Sequence, residues 1–216
     1  MRGAVVEDEL MRQGQVRAAV VVNATGPWCD ELRRLEDPSA RPLLRRTRGV
    51  HVMVRRKRLG HTAGITLTSP IDGRVMFVLP WGDFSYIGTT DTDEPGPPEA
   101  AAPAEADVHY LLRSANACFP QAHLTEEDVV SSWAGVRALL DSGASGAASA
   151  VSREHIIRRG PGGMLTIAGG KLTTFRSMAA ELVDEVAAEL TRREGRSRPD
   201  RAPTDTEPLP GGEAAD

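Results

Sequence analysis

Three cations in this chain stand beside expected turns or strand ends: Arg137 in "SSWAGVRALL", Arg153 in "VSREHII" and Lys171 in "AGGKLTT". Two forked guanidinium groups and one ammonium point charge suit the oxygens of a phosphate monoester. Each cation alone reads first as an ordinary surface charge, and spacing in one chain does not bring the three together. Lys171 opens the most informative stretch, "IAGGKLTTFRSMAAELVDEVAAEL" (Ile167–Leu190). Its apolar residues Phe175, Met178, Ala179, Leu182, Val183, Val186 and Leu190 recur at spacings of three and four. That pattern predicts a helix with one buried stripe, with Glu181, Asp184, Glu185 and Glu189 off it. "MLTIA" (Met164–Ala168) predicts a short strand feeding this helix. A strand, a glycine turn and a helix start present backbone N–H groups and a positive dipole end to an anion or a polarised carbonyl. Close packing of small residues at a helix entry is the other reading. The segment is not a nucleotide phosphate loop of the Walker type, because Leu165 and Leu172 occupy its required Gly and Ser/Thr positions.

Other elements must position these residues. Gly3 to Trp28 reads as strand, polar turn, strand, and then a continuously apolar run (Ala18–Val22) expected to be a strand covered on both faces. That run ends in "NATGPW", a sharp turn at a strand's carboxyl end, where open α/β sheets place ligands. Asp30–Leu35 starts a short helix. Strands follow at Gly49–Arg56, Ile65–Ser69, Arg74–Trp81 and Phe84–Thr90, with an Asp72-Gly73 hairpin signal, predicting an antiparallel meander. In the first of these, Val50, Val52 and Val54 share one face and His51 and Met53 the other. Val108, Leu111, Leu112 and Ala115 mark a helix ending before Pro120, Val129–Trp133 is a strand, and Asp141–Ser152 is a small-residue loop. Arg153–Arg158 and Met164–Ala168 form a hairpin.

The net charge of −4 over 216 residues argues against bulk-charge binding of nucleic acid. The basic stretch Arg41–Gly60 reads as a solvated face, with a local anion site or a membrane-surface patch as the minority reading. Cys29 and Cys118 have no metal or redox spacing, so free thiols in a reducing cytosol and no metal site are expected. No run approaches the ~20 apolar residues that span a bilayer.

Taken in order, "VVNATGPW", "TRGVHVMV", "GRVMFVLPWGDFSYIGTTDTD", "VVSSWAGVRALL", "SREHII" and "TIAGGKLTTFR" resemble FAD-dependent glycerol-3-phosphate dehydrogenases, from about Gly3 to Leu190. The resemblance implies an α/β (α+β) fold: a partial FAD-binding, Rossmann-like domain with an antiparallel substrate-binding cap sheet. It places the FAD-binding part at 1–47 and 129–190 and the substrate sheet and helix at 48–128. Residues 191–216 are expected to be a disordered linker toward a missing helical domain. It further implies oxidation of sn-glycerol 3-phosphate to dihydroxyacetone phosphate, with hydride passing from substrate C2 to flavin N5 and electrons to quinone, or to oxygen in oxidase relatives. Arg137, Arg153 and Lys171 match the substrate-phosphate contacts, and His51 is the candidate for handling the hydroxyl proton. Backbone donors of Gly170, Leu172 and Thr173 are expected at the flavin's pyrimidine edge, and Gly26, Pro27 and Trp28 along its ring. "GTTD" (Gly88–Asp91) reads as a strand end and is given no catalytic role. The expected location is cytoplasmic, peripheral on the inner face of the plasma membrane.

The sequence departs from the family pattern in lacking a Gly-x-Gly-x-x-Gly turn for the ADP half of FAD. The expectation is a fragment missing its N-terminal half, poorly loaded with FAD and inactive alone. Two rivals stay open: a related amino-acid-oxidase-like enzyme with a carboxylate substrate, and a non-catalytic module that has lost its cofactor.

Overall fold

Strict apolar alternation makes "GVHVMVR" a strand with two unlike faces, and this strand organises half of the molecule. The computed structural model describes residues 2–141, 154–197, 203–208 and 211–212. They form two compact units. The first takes in the residues up to Arg45, 138–141 and those from 154 onward, and the second is Arg46–Arg137.

The second unit is built on an antiparallel sheet. Its strands are β4 (Leu44–Arg55), which leads into the short helix α2 (Arg56–Leu59), β5 (Ile65–Thr68), β6 (Val75–Trp81), β7 (Phe84–Gly88) and β8 (Thr92–Asp93), in the order β5-β6-β7-β4-β8, with β9 (Val129–Leu140) also paired to β4. The expected meander is present in β5-β6-β7, but β4 docks beside β7 rather than beside its chain neighbour β5. The β5–β6 connection is wider than the two-residue turn read from Asp72-Gly73: Ser69 N donates to Arg74 O at 2.8 Å and Gly73 N to Ser69 O at 2.9 Å. Val50, Val52 and Val54 are fully buried, as are Met76, Val78 and Ile87. They pack with Leu111, Leu112 and Ala115 of helix α3 (Glu105–Cys118) into one core. Each such buried side chain contributes roughly 1.5–3 kcal/mol of transfer free energy. The start of α3 is tied to the sheet by buried Asp107, which accepts from Arg48 Nη2 at 3.0 Å and Ala104 N at 3.1 Å. His51, Phe77 and Tyr86 lie on the face opposite this core.

In the first unit, β1 (Gly3–Glu7) and β2 (Gln13–Arg17) make the hairpin expected from the sequence. The continuous apolar run after it does not make a covered strand. Only Val22–Asn23 (β3) pairs, and Val22 is 40% exposed. A strand buried on both faces needs layers above and below it as well as ladder partners; β3 has β11 on one side and no second partner among the described residues. The other two strands are β10 (His155–Arg159) and β11 (Leu165–Gly169), antiparallel to each other, with β11 parallel to β3. Helix α1 (Cys29–Glu36) follows the turn after β3, and its Glu36 carboxylate accepts from Met164 N at 2.9 Å, pinning the β10–β11 turn. Cys29, Leu44 and Ala168 form a small core with Leu43, Ala138 and Leu140.

Helix α4 (Phe175–Glu194) runs past the expected end, and its buried face is rotated from the expected stripe. Leu182 and Glu189 are buried, whereas Phe175 and Val183 are each 55% exposed. Three arginines explain why an acid is inside: Arg159, Arg192 and Arg193 all pair with Glu189. Opposite charges at three and four residues' spacing, plus one from β10, offset the desolvation of that carboxylate. The expected loop at 141–152 falls almost wholly outside the described residues, as does much of the expected linker after 197. Among the described residues no helix is long and apolar enough to cross a membrane.

Candidate functional site

In the first unit the two ligand-facing turns predicted from sequence follow neighbouring parallel strands. The pairs Leu165↔Val22 and Thr166↔Asn23 run β11 and β3 in the same direction, so "GPW" and "GGK" both leave carboxyl ends of that parallel pair. This is where open α/β sheets bind cofactors. The first turn is fixed by fully buried Asn23, a residue that nothing in the linear pattern singles out. Its Nδ2 donates to Cys29 O at 2.9 Å, and its Oδ1 accepts from Thr25 Oγ1 at 2.7 Å and Thr25 N at 3.3 Å. Gly26, at φ +56, begins a 3-10 turn with Pro27 and Trp28, and nothing stands within 4 Å of where a Cβ would be. Burial pushes the adjacent Cys29 thiol up to about 11, with Asp30 adding to the shift, so it is inert.

The second turn bends through Gly169 (φ +79) and Gly170 (φ +83), a left-handed pair that side-chain-bearing residues resist. The Gly170 N–H does not face a ligand: it donates to Glu154 O at 3.0 Å, so Gly170 shapes the turn instead of supplying the expected donor. Leu172 and Thr173 open a 3-10 turn leading into α4, and the first N–H groups of such a turn have no acceptor within it. Lys171 is exposed, its backbone held by Thr174, whose Oγ1 donates to Lys171 O at 3.0 Å. Trp28, Leu172 and Phe175 are 38%, 87% and 55% exposed. Outward-facing apolar side chains, an open glycine and backbone donors suit a flat aromatic ring with polar edges. Residues of both turns therefore fit a flavin.

In the second unit the structure brings His51 and Arg137 together. Pairing of His51 with Gly88 across β4–β7 lays the imidazole against a residue with no side chain; a Cβ there would stand 2.1 Å from His51 Cδ2. Trp133 stacks on the ring, with centroids 5.3 Å apart and planes at 11°, and Tyr86 meets it edge-on at 6.0 Å. Burial, followed by the positive charge of Arg137, holds the His51 pKa below its ordinary 6.5. Arg137 is aimed by "GTTD", the segment given no catalytic role on sequence. Nη1 donates to Thr90 O at 3.2 Å and Asp91 Oδ1 at 3.3 Å, and Nη2 to Thr89 Oγ1 at 3.0 Å. Thr90 is anchored in turn, since its Oγ1 accepts from Val50 N at 3.0 Å. Gly49 leaves room for the fork: a Cβ there would stand 2.3 Å from Arg137 Nη2. The sequence signal for Thr89, Thr90 and Asp91 is a polar triplet closing an alternating strand. Assigning it to Arg137 requires the pairing of β4 with both β7 and β9.

Of the three predicted phosphate contacts, Arg137 belongs to the second unit and Lys171 to the first, while Arg153 lies outside the described residues.

A mixed unit with glycine turns at the ends of parallel strands, together with an antiparallel-sheet unit carrying a neutral histidine and an arginine, defines a flavin-dependent oxidoreductase. The chain belongs to the family of FAD dependent oxidoreductases, whose model matches residues 2–194. Within it, the chain is similar to the aerobic glycerol-3-phosphate dehydrogenase of Staphylococcus haemolyticus, 38% identical over 192 residues that make up 88% of this chain and 34% of the relative. The Staphylococcus aureus enzyme of the same name is 36% identical over 197 residues, 90% of this chain and 35% of the relative. Among solved structures, the glycerol-3-phosphate dehydrogenase from Bacillus halodurans complexed with FAD superposes with a TM-score of 0.78 at 36% identity, over 88% of this chain and 36% of that one. An amino acid oxidase essential for nikkomycin biosynthesis shares the fold, with a TM-score of 0.56 at 15% identity, over 91% of this chain and 51% of its own. The chain thus spans about a third of the length of the dehydrogenases it matches.

Proposed function

We propose that this chain serves the FAD-dependent oxidation of sn-glycerol 3-phosphate to dihydroxyacetone phosphate. The observation that carries the reading is the pairing of a neutral imidazole, His51, with an aimed guanidinium, Arg137, in a chain 38% identical to a glycerol-3-phosphate dehydrogenase. FAD, when bound, supplies the acceptor for the hydride leaving substrate C2. Gly26, Pro27 and Trp28, with Leu172 and Thr173, hold its ring. His51 accepts the C2 hydroxyl proton at a ring nitrogen, a task that requires the neutral ring. Arg137 presents donors to the substrate phosphate, with Arg153 and Lys171 assigned the same role by family resemblance. A dianion at Arg137 offsets the charge that depresses His51, so substrate binding raises the basicity of the group that takes the proton.

Because the chain spans a third of its relatives, the test uses a chimera in which the matching third of the S. haemolyticus enzyme is replaced by this sequence. Anaerobic glycerol 3-phosphate bleaches the flavin of that chimera, whereas glycine and sarcosine do not. Bleaching by the amino acids in place of glycerol 3-phosphate overturns the assignment and favours the oxidase-like alternative.

Electrons then pass to a quinone, and the chain meets the cytoplasmic face of the plasma membrane through Arg55–Arg58. A helical turn, Arg56–Leu59, exposes Lys57, and Arg56 N donates to Asp83 O of the Trp81–Phe84 hairpin at 2.9 Å, whereas Arg58 turns to Asp128, its Nε 2.8 Å from Oδ1. Trp81 is 67% exposed and Arg55 lies 4.6 Å from the Phe84 ring centre. Cations beside an exposed indole suit an anionic bilayer surface. Co-sedimentation with phosphatidylglycerol vesicles that persists after R55Q, R56Q, K57Q and R58Q are combined would remove this part of the reading.

A further inference from the structure

Asp91 sits in the link between β7 and β8 with a side chain only 6% exposed, and it has two cationic neighbours. Its Oδ1 lies 3.3 Å from Arg137 Nη1 and its Oδ2 3.7 Å from Arg74 Nη1. Arg74 in turn reaches Asp72 at 3.5 Å, but Asp72 is 39% exposed and its charge is screened by water. A carboxylate paired with Arg137 alone would cancel the charge an anionic substrate needs. Shared with Arg74, it orients the guanidinium and leaves the site net positive.

We propose that Asp91 is a positioning residue that aims Arg137 and, through the division of its charge between Arg137 and Arg74, sets the proton affinity of His51. The proposal rests on the reading of Arg137 as an anion contact and His51 as a base. Among the described residues, the groups facing His51 include Tyr86 from β7 and Trp133 and Arg137 from β9. On its own strand, Arg48 is occupied by Glu94 at 2.7 Å and Asp107 at 3.0 Å. Arg137 is thus the charged neighbour through which Asp91 acts.

The test needs neither flavin nor turnover. The His51 ring is titrated by NMR in the purified full chain, in the wild type and in the D91N and R74Q variants. The D91N side chain keeps an acceptor for Arg137 while removing the negative charge, so His51 titrates lower than in the wild type, by about half a pH unit. In R74Q, Asp91 falls wholly to Arg137 and His51 titrates higher. Shifts of opposite sign support the proposal; shifts of the same sign, or none, overturn it. A third variant, D91A, lacks the charge as D91N does but also the acceptor, so it binds inorganic phosphate about tenfold more weakly than D91N, a factor typical of one lost charge-assisted hydrogen bond; equal binding by the two would overturn the aiming role. Should D91A fail to fold, the two near-isosteric variants still decide. If the His51 shifts appear but neither inorganic phosphate nor glycerol 3-phosphate moves the His51 resonance, the Asp91 coupling stands and the substrate reading fails.

Discussion

His51 and Arg137 separate what a residue type suggests from what its surroundings impose. An unperturbed histidine is half-protonated near pH 6.5, but burial and then a nearby guanidinium favour the neutral ring. The consequence for stability has a definite sign. The unfolded chain takes up a proton at His51 before the folded one does, so full stability holds above pH 6.5 and is lost as pH falls toward the lower folded value. Urea titrations at pH 7.5 and pH 5 therefore show the wild type losing more stability on acidification than H51Q does. The same substitution removes the acid limb of flavin reduction by glycerol 3-phosphate in the chimera. At Arg137, exchange for Lys keeps the charge and loses the fork, raising the KM for glycerol 3-phosphate roughly tenfold or more with less effect on kcat.

At the scale of elements, the sheet of the second unit works as a two-sided plate. One side is the core on α3, and its cohesion is testable at Met76, which is fully buried. M76A is expected to cost about 2–5 kcal/mol, read as a lowered urea midpoint at unchanged slope. The other side is shaped by what the strands omit. A methyl group at Gly49 meets the tip of Arg137, a flexible end that moves aside without unfolding anything. G49A should therefore melt within a few degrees of the wild type yet raise the KM for glycerol 3-phosphate by roughly ten- to a hundredfold, because a misaimed fork misplaces the substrate. Equal stability with unchanged KM would show that the fork's position is immaterial.

For the whole molecule, the division into two units separates the candidate residues: turns that fit a flavin in one, and His51 with Arg137, the base and anion contact we propose, in the other. The two thiols report on packing. Cys118 is exposed, while Cys29 is fully buried with its thiol pushed up to about 11. A disulfide reagent at pH 8 should label one thiol per chain within minutes and the second only in denaturant. Labelling of both at equal rates would mean that the Cys29, Leu44 and Ala168 core is open in solution.

Local patterns in the chain carried much of this. Alternation in "GVHVMVR" marked the buried valines and the opposite face of His51, because period two is a property of the strand itself. Ordered blocks carried the resemblance to glycerol-3-phosphate dehydrogenases, and glycines marked the turns at strand ends. Composition misled where environment decides: Ala18–Val22 is apolar enough for a covered strand but pairs only at its end, and Glu189 lies inside because three arginines reach it. Nothing in a linear reading joins "GTTD" to Arg137, for they are 46 to 48 positions apart and meet only when β4 takes β7 on one side and β9 on the other. Periodicity is written into neighbours along the chain and so was legible in sequence. The aim of Arg137, the sharing of Asp91 and the neutrality of His51 depend on electrostatics and sterics between distant segments, and those came into being only with the tertiary fold.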